Sequence, residues 1–317
     1  MNQVKEYLKE QAIPLIVLLV MIVIASIVSP VFLSVTNFRN LSVQIALNMI
    51  VSMGMFLVIL TGGIDLSVGS TVAVAGVICA GFMRIMPVGA AISFAILICV
   101  ALGTVNGVIV SLLKIAPFIV SLGMMSFARG IAFWYTKSLP ISWLPFPGAD
   151  FLYVVGTGNV FGIPILALIW IVMVIITAII LKYTVVGRIV YCLGGNETAV
   201  RLSGINIKKW KILPYLFSGL CCGIGGVVLA ARLGVGTPTG GNSLEMDSIA
   251  AVVIGGTSFN GGIGSVSGVI IGVFVLGIIN NILDLMNVPS YPQMMLKGAI
   301  IVAAVILSKI RENSITG

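Results

Sequence analysis

The sequence predicts an all-α polytopic membrane protein with about ten transmembrane helices, some broken or re-entrant, and three observations predict it. Hydrophobic residues make up 59% of the chain and charged ones 8%, with a mean hydropathy of +1.22, whereas about a quarter of residues in soluble domains are charged. The apolar runs are roughly 16 to 22 residues long, which suits helices crossing about 30 Å of hydrocarbon rather than the alternating segments of about 10 that build a barrel. Paired glycines and polar groups interrupt these runs at two places, near Gly62 and near Gly255.

Taken in order, spans are expected near Pro14–Ser29, Leu41–Leu60, Leu66–Met83, Ala90–Leu113, Pro117–Thr136, Pro164–Leu181, Leu213–Ala231, Ile249–Gly256, Val266–Leu283 and Met294–Ile310. The first follows a polar, charged N-terminus and no clear small-residue cleavage site follows it, so it is read as a retained helix. The second and third flank Gly62-Gly63-Ile64-Asp65. Small residues at helical spacing, Gly103 with Gly107 and Gly219 with Gly223, mark the fourth and seventh and let backbones approach closely in lipid. The eighth is too short to span alone and runs into Gly255–Gly262, which reads as a broken or re-entrant helix. The ninth opens on the stripe Gly264, Gly268 and Gly272, for which packing within one subunit is the stronger reading. Five spans per half would allow an inverted repeat.

The net charge is +8, and its distribution gives the orientation. Lys182, Arg188, Arg201, Lys208, Lys209 and Lys211 crowd one loop against Glu197, while Lys5, Lys9, Lys309 and Arg311 mark the ends. The positive-inside rule places that loop and both termini in the cytoplasm, and an even number of spans agrees. Nucleic acid is a poor partner, because only Tyr191 and Trp210 interleave the basic residues. The longest outside segment, 137–162, carries Pro140, Trp143, Pro145, Pro147 and Asp150, and reads either as a periplasmic ledge or as a solvated connector.

Catalysis finds no footing. There is no histidine, no metal-binding cysteine spacing among Cys79, Cys99, Cys192, Cys221 and Cys222, no G-x-S-x-G element and no phosphate-binding G-x-x-x-x-G-K-[ST]. If ATP drives this protein, the hydrolysing site sits on another polypeptide.

Candidate pathway or gate residues are the polar groups at membrane depth: Gly62, Gly63, Asp65, Ser67, Asn106, Asn280 and Asn281. Asp65 is expected to start the span at Leu66, its charge held by backbone N–H groups of the first turn. A gate is the functional alternative, and a proton relay lacks a basic neighbour. The asparagines fit interhelical hydrogen bonding better than substrate contact. Gly81 is expected to face lipid. In the basic loop, Glu197–Leu202 reads as a short helix with Asn196 as N-cap and Gly204 at its end, able to transmit a push between two spans. The alternative is a loop that only fixes topology and binds anionic headgroups.

Four motifs, in order and spacing, resemble the ribose- and galactoside-type permeases of ATP-binding-cassette importers. They are Leu60–Ser70; Gly194-Gly195-Asn196-Glu197-Thr198-Ala199 with Leu202–Asn206; Asp247–Ser258; and Asn280-Asn281 with Tyr291 and Gln293-Met294. The likeness runs from near Ile27 to near Leu307, with Cys192 standing where alanine is expected. It implies one transmembrane permease domain over 1–317, with a cytoplasmic coupling loop at 182–212 and a periplasmic loop at 137–162. It also implies a non-hydrolysing subunit in a bacterial inner membrane, paired with a second permease copy or a paralogous permease. By the same resemblance, an ATPase subunit carrying ATP and Mg is expected to dock on Gly194, Gly195, Asn196, Glu197, Ala199, Arg201 and Gly204, and a periplasmic sugar-binding protein to deliver a monosaccharide. A self-sufficient secondary transporter or channel using Asp65 is the alternative.

Overall fold

A computed structural model describes residues 2–289, 291–300, 302 and 306, and most of them are helical. In order, the helices are α1 (Asn2–Val28), α2 (Val35–Gln44), α3 (Ala46–Leu60), α4 (Val68–Phe82), α5 (Val88–Leu113), α6 (Pro117–Thr136), α7 (Ala149–Thr157), α8 (Ile165–Tyr183), α9 (Val185–Gly195), α10 (Glu197–Leu202), α11 (Ile207–Leu233), α12 (Leu244–Ile254) and α13 (Val266–Leu285). A further helical stretch covers 291–300. Among the described residues, five helices (α5, α6, α8, α11 and α13) are long and apolar enough to cross a membrane, and the α2–α3 pair makes a sixth.

The expected spans are less even than the sequence suggests. The second is bent by 44° between α2 and α3, and the third begins at Val68 because Leu66 and Ser67 lie in a turn. The expected eighth is α12, whose 11 residues rise only about 16 Å, roughly half the hydrocarbon thickness. The end of the expected tenth span, Lys309 and Arg311 lie outside the described residues, as do the side chains of Lys5 and Lys9.

Helices in lipid gain little from burying apolar surface against each other, so they associate by close packing. Here the packing centres on α11. A Cβ on Gly103 of α5 would run into the Tyr215 carbonyl of α11, and one on Gly219 of α11 into the Cys99 carbonyl of α5. Gly226 stands in the same relation to the Val72 carbonyl of α4, and a Cβ on Gly54 of α3 would lie 2.8 Å from Ser218 Cα. Three helices therefore approach α11 at backbone distance. The Gly268 and Gly272 stripe packs within the chain too, against the carbonyls of Gly255 and Ala251. Gly81 corrects an expectation: it is buried, and a side chain there would strike the Tyr135 ring, so it does not face lipid.

Segment 137–162 is folded. Strand β1 (Ile141–Ser142) pairs antiparallel with a strand at Val235–Gly236, and Trp143, 1% exposed, donates from Nε1 to the Ala230 carbonyl at 2.9 Å. The α7 helix lies in the same segment, with Leu152 fully buried. The segment is thus folded against α11.

The glycine contacts around α11 predict a graded response. Gly103→Val should lower stability by about 1–3 kcal/mol through overpacking, read as an earlier thermal unfolding transition in detergent. Gly123→Val, at an exposed α6 position with nothing within 4 Å, should stay within about 0.5 kcal/mol of wild type. Equal stability of the two variants would remove α11 from the centre of the packing.

Candidate functional site

Asp65 lies between α3 and α4 and is only 2% exposed. Its Oδ1 accepts from the Ser67 backbone N–H at 3.0 Å and from Ser67 Oγ at 2.6 Å, with Asn106 Nδ2 farther off at 3.5 Å. Its Oδ2 accepts from Ser218 Oγ on α11 at 3.0 Å, and Asn106 Nδ2 also donates to Ser67 Oγ at 2.9 Å. Asp65 is thus not the helix cap expected from sequence. Ser67 holds the cap position of α4, and the carboxylate ties the turn to α5 and α11. Ser218 was invisible to the sequence because it is a small residue in an apolar run. Gly62 takes φ +74°, a backbone conformation natural to glycine, and Gly63 packs where a Cβ would meet the Tyr215 hydroxyl.

The two glycine breaks meet. The Gly262 N–H donates to the Leu60 carbonyl at 2.9 Å, joining the end of α3 to the loop between α12 and α13. Gly194, at the end of α9, fills the corner between them: a Cβ there would collide with the Leu60 carbonyl and the Gly262 nitrogen. Tyr191 Oη donates to the Gly264 carbonyl at 3.0 Å. Backbone from three separate parts of the chain is in contact at one point.

Beyond that junction α10 stands exposed. Asn196 Oδ1 accepts from the Ala199 N–H at 2.9 Å, and Gly204, at φ +78°, follows the helix. Val200 is buried at 5% exposure and anchors the helix, while Leu202 is 81% exposed. Gly195, Asn196, Glu197, Ala199, Arg201 and Gly204 are all exposed, and Glu197 pairs with Lys211 at 2.6 Å.

Asn280 and Asn281 belong to a different place, the end of α13 away from this junction. Asn281 exchanges hydrogen bonds with Asn37 of α2 at 2.9 and 3.0 Å, an amide clamp that pins α2 to α13. Asn280 instead lines a cavity of about 230 Å³ beside the α2–α3 bend, with Asn48, Arg232, Asn242 and Asp247. A second cavity, of about 360 Å³, is lined by Ser70, Arg129, Asn242 and Glu245.

Between the two cavities runs an irregular segment, 234–243. Gly236 packs on Gly76 and Gly241 on Gly69, so the segment descends alongside α4, against its chain direction. Irregular backbone at membrane depth must be satisfied by protein or line a wet cavity. Arg129 satisfies part of it, donating from Nη1 to the carbonyls of Pro238 at 2.6 Å and Gly240 at 2.9 Å. Sequence reasoning passed over Arg129, Arg232 and Glu245, and took Asp247 only as the start of a motif. The signal was present, since Arg129 sits inside an apolar span where an ionisable group is a functional candidate by default. Among the described residues, no group of His, Cys, Asp and Glu is arranged to hold a metal.

Residues 37–305 match the family described as branched-chain amino acid transport system / permease component. The ribose import permease protein of Haemophilus influenzae is 42% identical over 307 residues, covering 96% of this chain and 94% of that protein. The ribose import permease protein of Bacillus subtilis is 40% identical over 299 residues, 93% of this chain and 92% of its own. The L-arabinose transport system permease protein of Escherichia coli is 32% identical over 312 residues, with 95% and 90% covered. No solved structure matches the chain.

The Asp65 network separates two variants. Asp65→Ala leaves the Ser218 and Ser67 hydroxyl protons and the Ser67 backbone N–H without their acceptor in a buried site and should destabilise by about 1–3 kcal/mol. Asp65→Asn keeps one acceptor oxygen and turns a donor toward Ser218 Oγ, which can accept, so it should lose less stability and retain solute uptake. Uptake in cells at matched membrane abundance, with thermal unfolding beside it, checks both. Abolished uptake in a stable Asp65→Asn protein would assign the carboxylate a charge-dependent task.

Proposed function

This chain belongs to the family of branched-chain amino acid transport system permease components, and on that premise we propose that it is the membrane subunit of an ATP-driven importer of a monosaccharide. The observation that carries sugar rather than amino acid is the near full-length likeness, at 42% and 40% identity, to two ribose import permeases. The subunit hydrolyses nothing itself. A separate ATPase, which binds ATP and Mg, supplies the energy, and a substrate-binding protein delivers the solute. Nucleotide-driven closure of the ATPase favours one of two pathway states, each open to one side of the membrane, by binding them unequally.

Finer assignments belong to the same proposal. The chain forms one permease domain, crosses the bacterial inner membrane ten times with both termini cytoplasmic, and works beside a second copy or a paralogue. Loop 182–212 is cytoplasmic and segment 137–162 periplasmic, as the positive-inside rule supports.

Gly194, Gly195, Asn196, Glu197, Ala199, Arg201 and Gly204 form the ATPase contact; the exposure of α10 and the seat of Gly194 between the breaks support this. Gly62, Gly63, Asp65, Ser67 and Asn106 frame the inner constriction and Asn280 the outer cavity, while Asn281 serves the frame through Asn37. The hydrogen-bond partners found for Asp65 are hydroxyls, an amide and a backbone N–H. None is basic, so a proton path through it has no support.

The test is reconstitution with the ATPase and binding protein in liposomes. D-ribose or L-arabinose should stimulate ATP hydrolysis, and leucine should not; stimulation by leucine alone would reverse the solute assignment. Gly204→Pro cannot reach φ +78°, because proline holds φ near about −65°, and Glu197→Lys reverses the charge at the exposed start of α10. Both should insert normally and lose sugar-stimulated hydrolysis. Wild-type stimulation in both variants would reduce this loop to a topology anchor.

A further inference from the structure

The cavity beside the α2–α3 bend has features that a passive gap between helices does not need. Its walls carry amides from Gln44, Asn48, Asn242 and Asn280, one carboxylate from Asp247 and one guanidinium from Arg232. Amides supply donors and acceptors together, as a polyhydroxylated solute requires, because each of its hydroxyls is both. The one carboxylate is already paired with Lys297 from beside the lining, and the amides outnumber the charged groups, a wall suited to a polyhydroxylated solute. Ile45, Leu47 and Leu244 give apolar wall for the C–H faces of such a ring. At about 230 Å³ the space lies below the roughly 300–1,000 Å³ of drug-sized pockets, which suits a small molecule.

Two details point to a ligand. The Oδ1 atom of Asn280 is buried and accepts no hydrogen bond among the described residues, and a buried unmet acceptor is unfavourable. The orientation is also enforced: Asn281, the next residue, is clamped to Asn37, and successive helical side chains diverge by about 100°, so Asn280 is turned to a different side. Asp247 Oδ2 accepts from Lys297 Nζ at 3.0 Å, and a carboxylate offers about four acceptor sites, so acceptor capacity remains for a hydroxyl.

We infer that this cavity is a weak subsite for a neutral monosaccharide within the permease itself, with Asn280, Asn48, Asn242 and Asp247 as its hydrogen-bonding groups. The inference rests on the sugar-importer reading. Weak binding is what a pathway needs, favourable enough to enter and loose enough to leave. The subsite lies about 18 Å, twelve residues of α3, from the Leu60 junction, at the far end from the ATPase contact, where solute released by a binding protein would arrive first.

The experiment uses the full complex of permease, ATPase and binding protein in liposomes with labelled D-ribose and L-arabinose, and saturation-transfer NMR with the same sugars on the permease–ATPase complex alone. If the wild-type complex hydrolyses ATP without stimulation by either sugar, the importer reading fails. Given stimulation, Asn280→Leu and Asn280→Ala should lower maximal uptake about tenfold, the scale of one lost hydrogen bond, with an unchanged KM for loaded binding protein. Saturation transfer should vanish in both, and Asn280→Gln, which keeps the amide, should restore part of each signal. Co-purification of the ATPase and the unfolding temperature show which variants are folded; should Asn280→Leu fail there, Asn280→Ala decides. Wild-type uptake in the folded variants, or saturation transfer that is absent from wild type or unchanged by the substitutions, overturns the subsite.

Discussion

The structure depends on how closely other helices can approach α11. In water, apolar faces would drive that association; in a bilayer the lipid is as apolar as the protein and the gain comes from contact distance. Glycine at Gly54, Gly103 and Gly226 brings α3, α5 and α4 to α11 at distances that any Cβ would forbid. At such spacing Cα–H groups face carbonyl oxygens, a weak attraction that recurs at helix interfaces. The Trp143 bond to Ala230 and the Ser218 bond to Asp65 both end on this helix. Segment 137–162 and the polar turn are thereby referenced to the same axis.

Close packing leaves the irregular backbone as the remaining physical difficulty. Two charged side chains resolve it in complementary ways. Asp65 accepts hydrogen bonds where the α3–α4 turn presents donors, and Arg129 donates where segment 234–243 presents carbonyls. Each is an ionisable side chain inside an apolar region that hydrogen-bonds irregular chain, Arg129 through two carbonyls and Asp65 through Ser67, so these groups of the breaks do not stand open in hydrocarbon. The cavities sit on either side of the segment Arg129 holds, which makes their shape a consequence of that guanidinium as much as of their own walls.

The membrane class, the all-α fold and the short capped helix of α10 were legible because each rests on composition or on residues near in sequence. What escaped was set by distant partners. The 44° bend occurs at Ile45, where neither Gly nor Pro announces it; the position is fixed by Gly277 on α13, which leaves room for the Ile45 side chain. Gly81 looked lipid-facing because nothing nearby reveals Tyr135. Asn280 and Asn281 read as equivalent neighbours, and only the Asn37 partner on α2 separates the frame from the cavity. Asp65 was read as a helix cap because the apolar run resumes at Leu66, while its partners Asn106 and Ser218 lie far off in sequence.

The glycine junction relates these parts to the proposed coupling. Gly194, Leu60 and Gly262 touch through backbone atoms, and a contact with no side chain between its halves has no rotamers to absorb a displacement. Motion of α9, pulled by anything bound to α10, must therefore move the end of α3 and the loop before α13 together, or separate them and break the Gly262–Leu60 bond. α3 leads through Gly62 and Gly63 to the Asp65 turn, and along its own length to Asn48 at the cavity beside the α2–α3 bend. α3 thus touches the junction at one end and the cavity at the other, with its Gly54 contact to α11 between them.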